Sequence, residues 1–215
     1  LCGRIEKVTK LDYEGLLVLL DYVCSTKDES LILDCTGSLD MEVYVDASHA
    51  IHNDYRGHTG IVARLGRSVI YAASKKQRIN VLSSTEGELV ALCEAYKDVL
   101  WMHETLRFMG VTSRPLVFME DNVPVIHMLE RGYNKSSNSK HINLRYYFLC
   151  EKLANKEIMV THVKTNDQIA DGLTKPLVGS AFEHNYDVLM RSATGAVGVI
   201  KTDLSPIHFE RSRNF

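Results

Sequence analysis

Two short apolar runs in this 215-residue chain each end on an aspartate. They are Val43-Tyr44-Val45-Asp46 and Leu116-Val117-Phe118-Met119-Glu120-Asp121. Each reads as a buried strand that delivers a carboxylate at its C-terminal end. If the two strands lie side by side and parallel, Asp46 and Asp121 meet at the sheet edge where open α/β sheets place their ligands. Two carboxylates that close repel, so the arrangement calls for a divalent cation between them.

The bulk properties exclude several classes. No apolar stretch reaches the ~18 residues of a bilayer span; the Leu16–Leu20 cluster is too short. No membrane partner is expected. Arg4, Glu6, Lys7 and Lys10 interrupt the start, so no signal peptide is expected. The cysteines (Cys2, Cys24, Cys35, Cys93, Cys150) are odd in number, scattered and without a C-x-x-C pair. They read as buried, reduced thiols in an intracellular, cytoplasmic protein. A net charge of −2 argues against a tight free-standing nucleic-acid binder. Such affinity must come from local patches, metal ions or an attached domain.

Periodicity predicts a helix over 10–26, a polar link over 27–41 and a strand from Glu42 to Asp46. A hairpin follows, Ile61–Leu65 and Ser68–Ala73, turned at Gly66-Arg67. A long helix starts after Ser83-Ser84-Thr85, where two Ser/Thr-x-x-Glu boxes overlap, and ends near Gly110. The strand ending at Asp121 precedes a short helix, Val123 to Glu130, and after a Gly, Asn, Ser and Lys loop a further helix, Ile142 to Ala154. A strand over 157–163 and a short helix over 167–174 complete the core. Residues 178–215 show weak periodicity.

On the long helix, Leu89, Leu92, Tyr96, Val99 and Leu106 define the buried stripe. Glu88 lies beside that stripe, and Glu86 lies about 200° away at ~100° per residue. Glu88 is therefore the acid that faces the sheet, and Glu86 has a capping role available. The alternative for Glu88 is an exposed acid stabilised by the helix dipole. Asp46 and Asp121 could instead begin turns, and Asp121 could cap the helix from Val123. His49, His52 and His58 match no standard zinc spacing.

Six segments occur in order: Val43-Tyr44-Val45-Asp46-Ala47-Ser48, Ser74-Lys75-Lys76-Gln77, Ser83-Ser84-Thr85-Glu86-Gly87-Glu88-Leu89, Glu120-Asp121-Asn122, Lys140-His141-Ile142-Asn143-Leu144-Arg145-Tyr146 and Ala170-Asp171-Gly172-Leu173-Thr174-Lys175-Pro176-Leu177. Together they resemble the ribonuclease H domain of copia-type LTR retrotransposon Pol polyproteins. Residues 10–34 resemble the end of the reverse transcriptase in the same polyproteins. The resemblance implies an α/β ribonuclease H-like fold, a five-stranded mixed sheet with helices on both faces. It implies three regions: a reverse-transcriptase remnant and linker (1–40), a ribonuclease H domain (41–178) and a weakly structured tail (179–215).

The resemblance also implies four catalytic, metal-binding carboxylates, Asp46, Glu88, Asp121 and Asp171; the fourth comes from it alone. They would hold two Mg²⁺ ions, with Mn²⁺ as a substitute, for hydrolysis of the RNA strand of an RNA–DNA hybrid. Ser84, Thr85, Asn122, Lys140, His141 and Arg145 are the expected substrate contacts, with Lys75, Lys76, Arg78 and Lys135 as further phosphate candidates. The reverse-transcriptase domain of the same polyprotein is the expected partner, within cytoplasmic virus-like particles. Better-known relatives carry a histidine in the loop before the last helix; here that loop is Lys164-Thr165-Asn166-Asp167. The competing readings are a catalytically silent connector of a reverse transcriptase and a DNA-acting nuclease of the same fold.

Overall fold

A computed structural model describes residues 8–34, 39–112, 114–132 and 140–191. Five strands form one mixed sheet: β1 (Met41–Ser48), β2 (His58–Leu65), β3 (Ser68–Lys76), β4 (Leu116–Glu120) and β5 (Ile158–His162). Their spatial order is β3-β2-β1-β4-β5. β1 pairs antiparallel with β2 and parallel with β4, and β4 pairs parallel with β5. The parallel β1–β4 pairing is the one the two Asp-ended runs required.

Alternation along the strands separates two cores. Met41, Val43 and Val45 of β1, with Leu116 and Phe118 of β4, pack under α2 (Ser84–Phe108), α3 (Val123–Arg131) and α4 (Lys140–Ala154). Leu89, Leu92 and Val99 supply the helix side of that layer and are at most 1% exposed. Burial of side chains of this size stabilises by ~1.5–3 kcal/mol each. Tyr44 and Val62 face the other way, onto Ile169, Ala170 and Val188. Val188 belongs to α5 (Ser180–Arg191). The sheet is thus α/β with helices on both faces, as the resemblance implied.

Several expectations need correction. β1 does not stop at Asp46; it runs on to Ser48, because Ala47 and Ser48 continue the ladder opposite Thr59 and His58. The hairpin strands are longer than the apolar pattern suggested, since polar residues at their outer ends still pair, His58 with Lys76. The short helix expected over 167–174 is two 3-10 turns, Thr165–Asp167 and Asp171–Leu173. The 179–215 tail is structured in its first part, where α5 packs Val188 onto the second face of the sheet; residues 192–215 lie outside the described residues. Cys24 is exposed rather than buried, because helix α1 (Lys10–Thr26) buries none of its residues; Cys93 is buried. Cys2 and Cys35 lie outside the described residues. The chain after α1 does meet the core: Ile32 N–H donates to the Met190 carbonyl (2.9 Å), and Ser68 Oγ donates to the Asp34 carbonyl (3.0 Å).

Candidate active site

The β1–β4 register pairs Val43 with Phe118 and Tyr44 with Met119. Two residues further on, the same register sets Asp46 beside Asp121. Glu88 comes from the second turn of α2 and is 5% exposed. Its neighbours at the helix start are fixed locally: Ser83 Oγ accepts the Glu86 N–H (3.2 Å), and Glu86 Oε2 accepts the Leu82 N–H (2.8 Å). Glu86 is thus engaged at the helix start and Glu88 faces the sheet. One carboxylate oxygen from each of Asp46, Glu88 and Asp121 lies within 4.8 Å of the others. Asp121 is not a helix cap; Asn122 is, with its side chain accepting the Val125 N–H at 3.3 Å.

Asp171 approaches from the opposite side. Asp46 shares its strand face with Tyr44, the face covered by the 165–175 segment. There the Thr174 hydroxyl donates to Asp46 Oδ2. Lys175 Nζ lies 2.8 Å from Asp171 Oδ1 and 3.5 Å from Asp46 Oδ1. Asp171 therefore joins the other acids through an ammonium; among the described residues it is not one of the three converging carboxylates.

A fifth acid, Glu120, is fully buried. It follows Leu116 and Phe118 on the α2-facing side of β4. Its Oε1 accepts the Asn122 N–H at 3.0 Å. Sequence reasoning assigned Glu120 no role, although its even spacing from Leu116 and Phe118 marked it as core-facing. Lys175, Thr174 and Gln168 were also unassigned. Gln168 Nε2 donates to the Val45 carbonyl (2.9 Å) and the Met119 carbonyl (3.4 Å). It thereby ties the two acid-bearing strands together. Gly60, opposite Asp46, admits this segment: a Cβ there would lie 2.8 Å from the Ala170 carbonyl oxygen.

Burial dominates the electrostatics. It pushes Glu88 up to about 10, with the charges of Glu120, Asp46 and Asp121 adding to the shift. It pushes Glu120 up to about 8, against the Asn122 N–H that favours the charged form. Asp46 is raised by burial too, opposed by the Thr174 hydroxyl and Lys175. Burial works against the charge of Lys175, but the bond to Asp171 and the charge of Asp46 outweigh it and raise its pKa.

This site fits a divalent cation. Glu88 Oε2 and Glu120 Oε2 are buried with no hydrogen-bond partner among the described residues, a costly state that a cation would relieve. The donors are all carboxylate oxygens, which suit Mg²⁺ or Mn²⁺ rather than soft metals. The histidines lie apart from this cluster: His52 and His58 bond each other (3.0 Å), and His58 bonds Ser74 Oγ (2.7 Å).

The expected substrate contacts have varied surroundings. Ser84 is exposed and Thr85 half-buried at the start of α2. Asn122 caps α3 through its side-chain oxygen. Arg145 lies near the Glu94 carboxylate. Lys75 pairs with Asp98, and Lys76 with Asp54 (2.8 Å). The side chains of Lys140 and His141, and all of Lys135, lie outside the described residues.

Comparison with known proteins agrees with the resemblance. No family model matches the chain. It is 32% identical over 178 residues to the retrovirus-related Pol polyprotein from transposon RE1 of Arabidopsis thaliana, and 33% identical over 174 residues to that from transposon RE2. These matches cover 82% and 80% of this chain, but the chain spans only 12% of either relative's length. Among solved structures, LC11-RNase H1 isolated from compost aligns with 63% of this chain and 92% of its own, at TM-score 0.49 and 15% identity. On the length and identity of the sequence matches, the chain belongs with the retrovirus-related Pol polyproteins of copia-type transposons.

Proposed function

We propose that this chain is a metal-dependent endonuclease that hydrolyses the RNA strand of RNA–DNA hybrids during retrotransposon reverse transcription. The observation that carries the reading is the convergence of Asp46, Glu88 and Asp121 within 4.8 Å at the C-terminal side of two parallel strands. Asp46, Glu88, Asp121 and Asp171 would hold two Mg²⁺ ions. When bound, such ions supply charge neutralisation at the phosphate and activate water for in-line hydrolysis.

The remaining work belongs to this chain's own groups. Thr174 fixes Asp46 Oδ2 and so orients its other oxygen. Burial favours the protonated form of Glu88, a preference that a bound cation would reverse. Glu120 anchors the Asn122 N–H and so fixes the turn that presents Asp121. Ser84, Thr85, Asn122, Lys140, His141 and Arg145 are the groups proposed to contact the hybrid, with 2′-hydroxyls as the feature that distinguishes RNA. In this reading residues 41–178 form the nuclease. Residues 1–40 end the reverse transcriptase, the partner in cis within cytoplasmic virus-like particles.

The test is cleavage of a labelled RNA–DNA hybrid and of duplex DNA, in Mg²⁺ or Mn²⁺, by wild type and Asp121→Asn. Hybrid-only cleavage that the substitution abolishes is the expected result. Cleavage of duplex DNA instead would point to a DNA-acting nuclease. A folded wild type that cuts neither, even with its reverse transcriptase added in trans, would sink the reading in favour of a silent connector.

A further inference from the structure

Asp46 faces two ways. One side belongs to the three converging carboxylates. The other faces Lys175, whose ammonium sits between Asp46 Oδ1 (3.5 Å) and Asp171 Oδ1 (2.8 Å). The backbone sets this reach: the N–H groups of Thr174 (3.1 Å) and Lys175 (2.9 Å) both donate to the Asp171 carbonyl. Thr174 then grips Asp46, so the turn delivers hydroxyl and ammonium together. Two neighbouring carboxylates need a cation between them, and here the chain provides one of its own. The Lys175 side chain is 44% exposed. Its flexible four-carbon stem therefore has an open route back to water.

We propose that Lys175 is a built-in stand-in for the second divalent ion: its ammonium holds Asp46 and Asp171 together until that ion displaces it into solvent. Lys175 is thus a positioning residue that competes with the second ion directly and acts on the first only through its charge beside Asp46. This inference rests on the metal-site reading above. It explains why Asp171 is bridged to the other acids rather than converging with them. It also predicts that the two ions bind in order, first at Asp46, Glu88 and Asp121, then at Asp46 and Asp171.

The experiment is a direct Mn²⁺ titration of the whole chain, without nucleic acid, read by the electron paramagnetic resonance of free Mn²⁺. Wild type, Lys175→Met, Lys175→Gln, Lys175→Arg and Asp121→Asn are compared, with Lys152→Met as a control for lost charge elsewhere. Removing a unit charge from a half-exposed position beside the ligands is expected to let Lys175→Met and Lys175→Gln take the second ion at roughly tenfold lower concentration. Lys175→Arg, which keeps the charge, and Lys152→Met should titrate like wild type. Asp171→Asn placed on Lys175→Met should erase the gain. Without metal, Lys175→Met should melt below wild type, and Mn²⁺ should restore it. If the first ion binds and the second is unmoved by Lys175→Met and Lys175→Gln, the inference is wrong and the metal site stands. If Lys152→Met gives the same gain, the effect is general charge and the inference is wrong. If neither wild type nor Lys175→Met binds an ion, or if Asp121→Asn binds as wild type does, the metal-site reading fails and the inference falls with it.

Discussion

The carboxylate end of the sheet and helix α1 each invert the ordinary distribution of side chains, in opposite directions. At the sheet, Asp46, Glu88 and Glu120 are 2%, 5% and 0% exposed. Along α1, Leu11, Leu19 and Val23 are 76%, 47% and 52% exposed. The two regions are also specified differently. α1 starts on a local capping box, in which Thr9 and Asp12 serve each other's backbone N–H groups. Asp46 and its strand are held by partners more than 120 residues away, Thr174 on the Asp46 carboxylate and Gln168 on the Val45 carbonyl. Buried charge is therefore sustained by the whole fold, whereas α1 leaves its apolar side chains in water and is set by local capping. What the contrast teaches is that the first inversion holds energy a small cation can release, whereas the second would need an apolar surface to cover it.

The largest test of that contrast is Asp121→Asn. Losing a ligand to a charge-stabilising cation removes several kcal/mol, so hybrid cleavage should fall about 1000-fold. The metal-free melting temperature should hold or rise, because one repelling charge is gone. A steep fall in melting temperature would break the comparison by making Asp121 structural. Next is Leu89→Ala, one residue from Glu88 and fully buried. It should lower stability by ~2–5 kcal/mol in chemical denaturation. A smaller loss would mean that the packing around Glu88 is loose.

The pH dependence comes third. Folding holds protons on Glu120 and Glu88 up to about 8 and about 10, whereas an ordinary glutamate releases its proton near 4.5. The folded state binds more protons over that window, so stability must fall as pH rises from about 4.5 to 8. Metal-free melting curves across this range should show the decline. Glu120→Gln should flatten it, and so should Mg²⁺. A flat wild-type profile would mean that these acids are already ionised in the fold. The smallest effect belongs to α1. Leu16→Ser and Leu19→Ser should each change the stability of this chain by no more than ~0.5 kcal/mol. A larger loss would show that α1 packs on the core.

Much of the site was legible in the chain because it depends on local pattern. The Asp-ended apolar runs gave the parallel pairing, and the phase of α2 selected Glu88 over Glu86. What escaped the sequence depends on distant partners. The 165–175 segment looks like a polar turn, and only folding brings Lys175 and Thr174 onto Asp46. α5 carries Phe182, Tyr186, Val188 and Leu189 within twelve residues, but it is one short helix in a stretch of weak overall periodicity, and only folding seats Val188 on the sheet. Glu120 was hidden by its neighbour: an aspartate that follows a glutamate draws attention away from it. Asp171 was available only through family resemblance, since an acid in a 3-10 turn carries no periodic signal.

The Gln168 side chain sets the order of events in time. The strands that carry Asp46 and Asp121 leave the ribosome well before the side chain that clamps their carbonyls together, and Thr174 and Lys175 follow later still. Contacts spanning more than 120 residues form slowly, after local structure. A nascent chain interrupted before residue 168 would carry Asp46, Glu88, Glu120 and Asp121 with neither clamp nor counter-charge. On the proposed reading, the metal site is therefore complete only once residues 168–175 have been made.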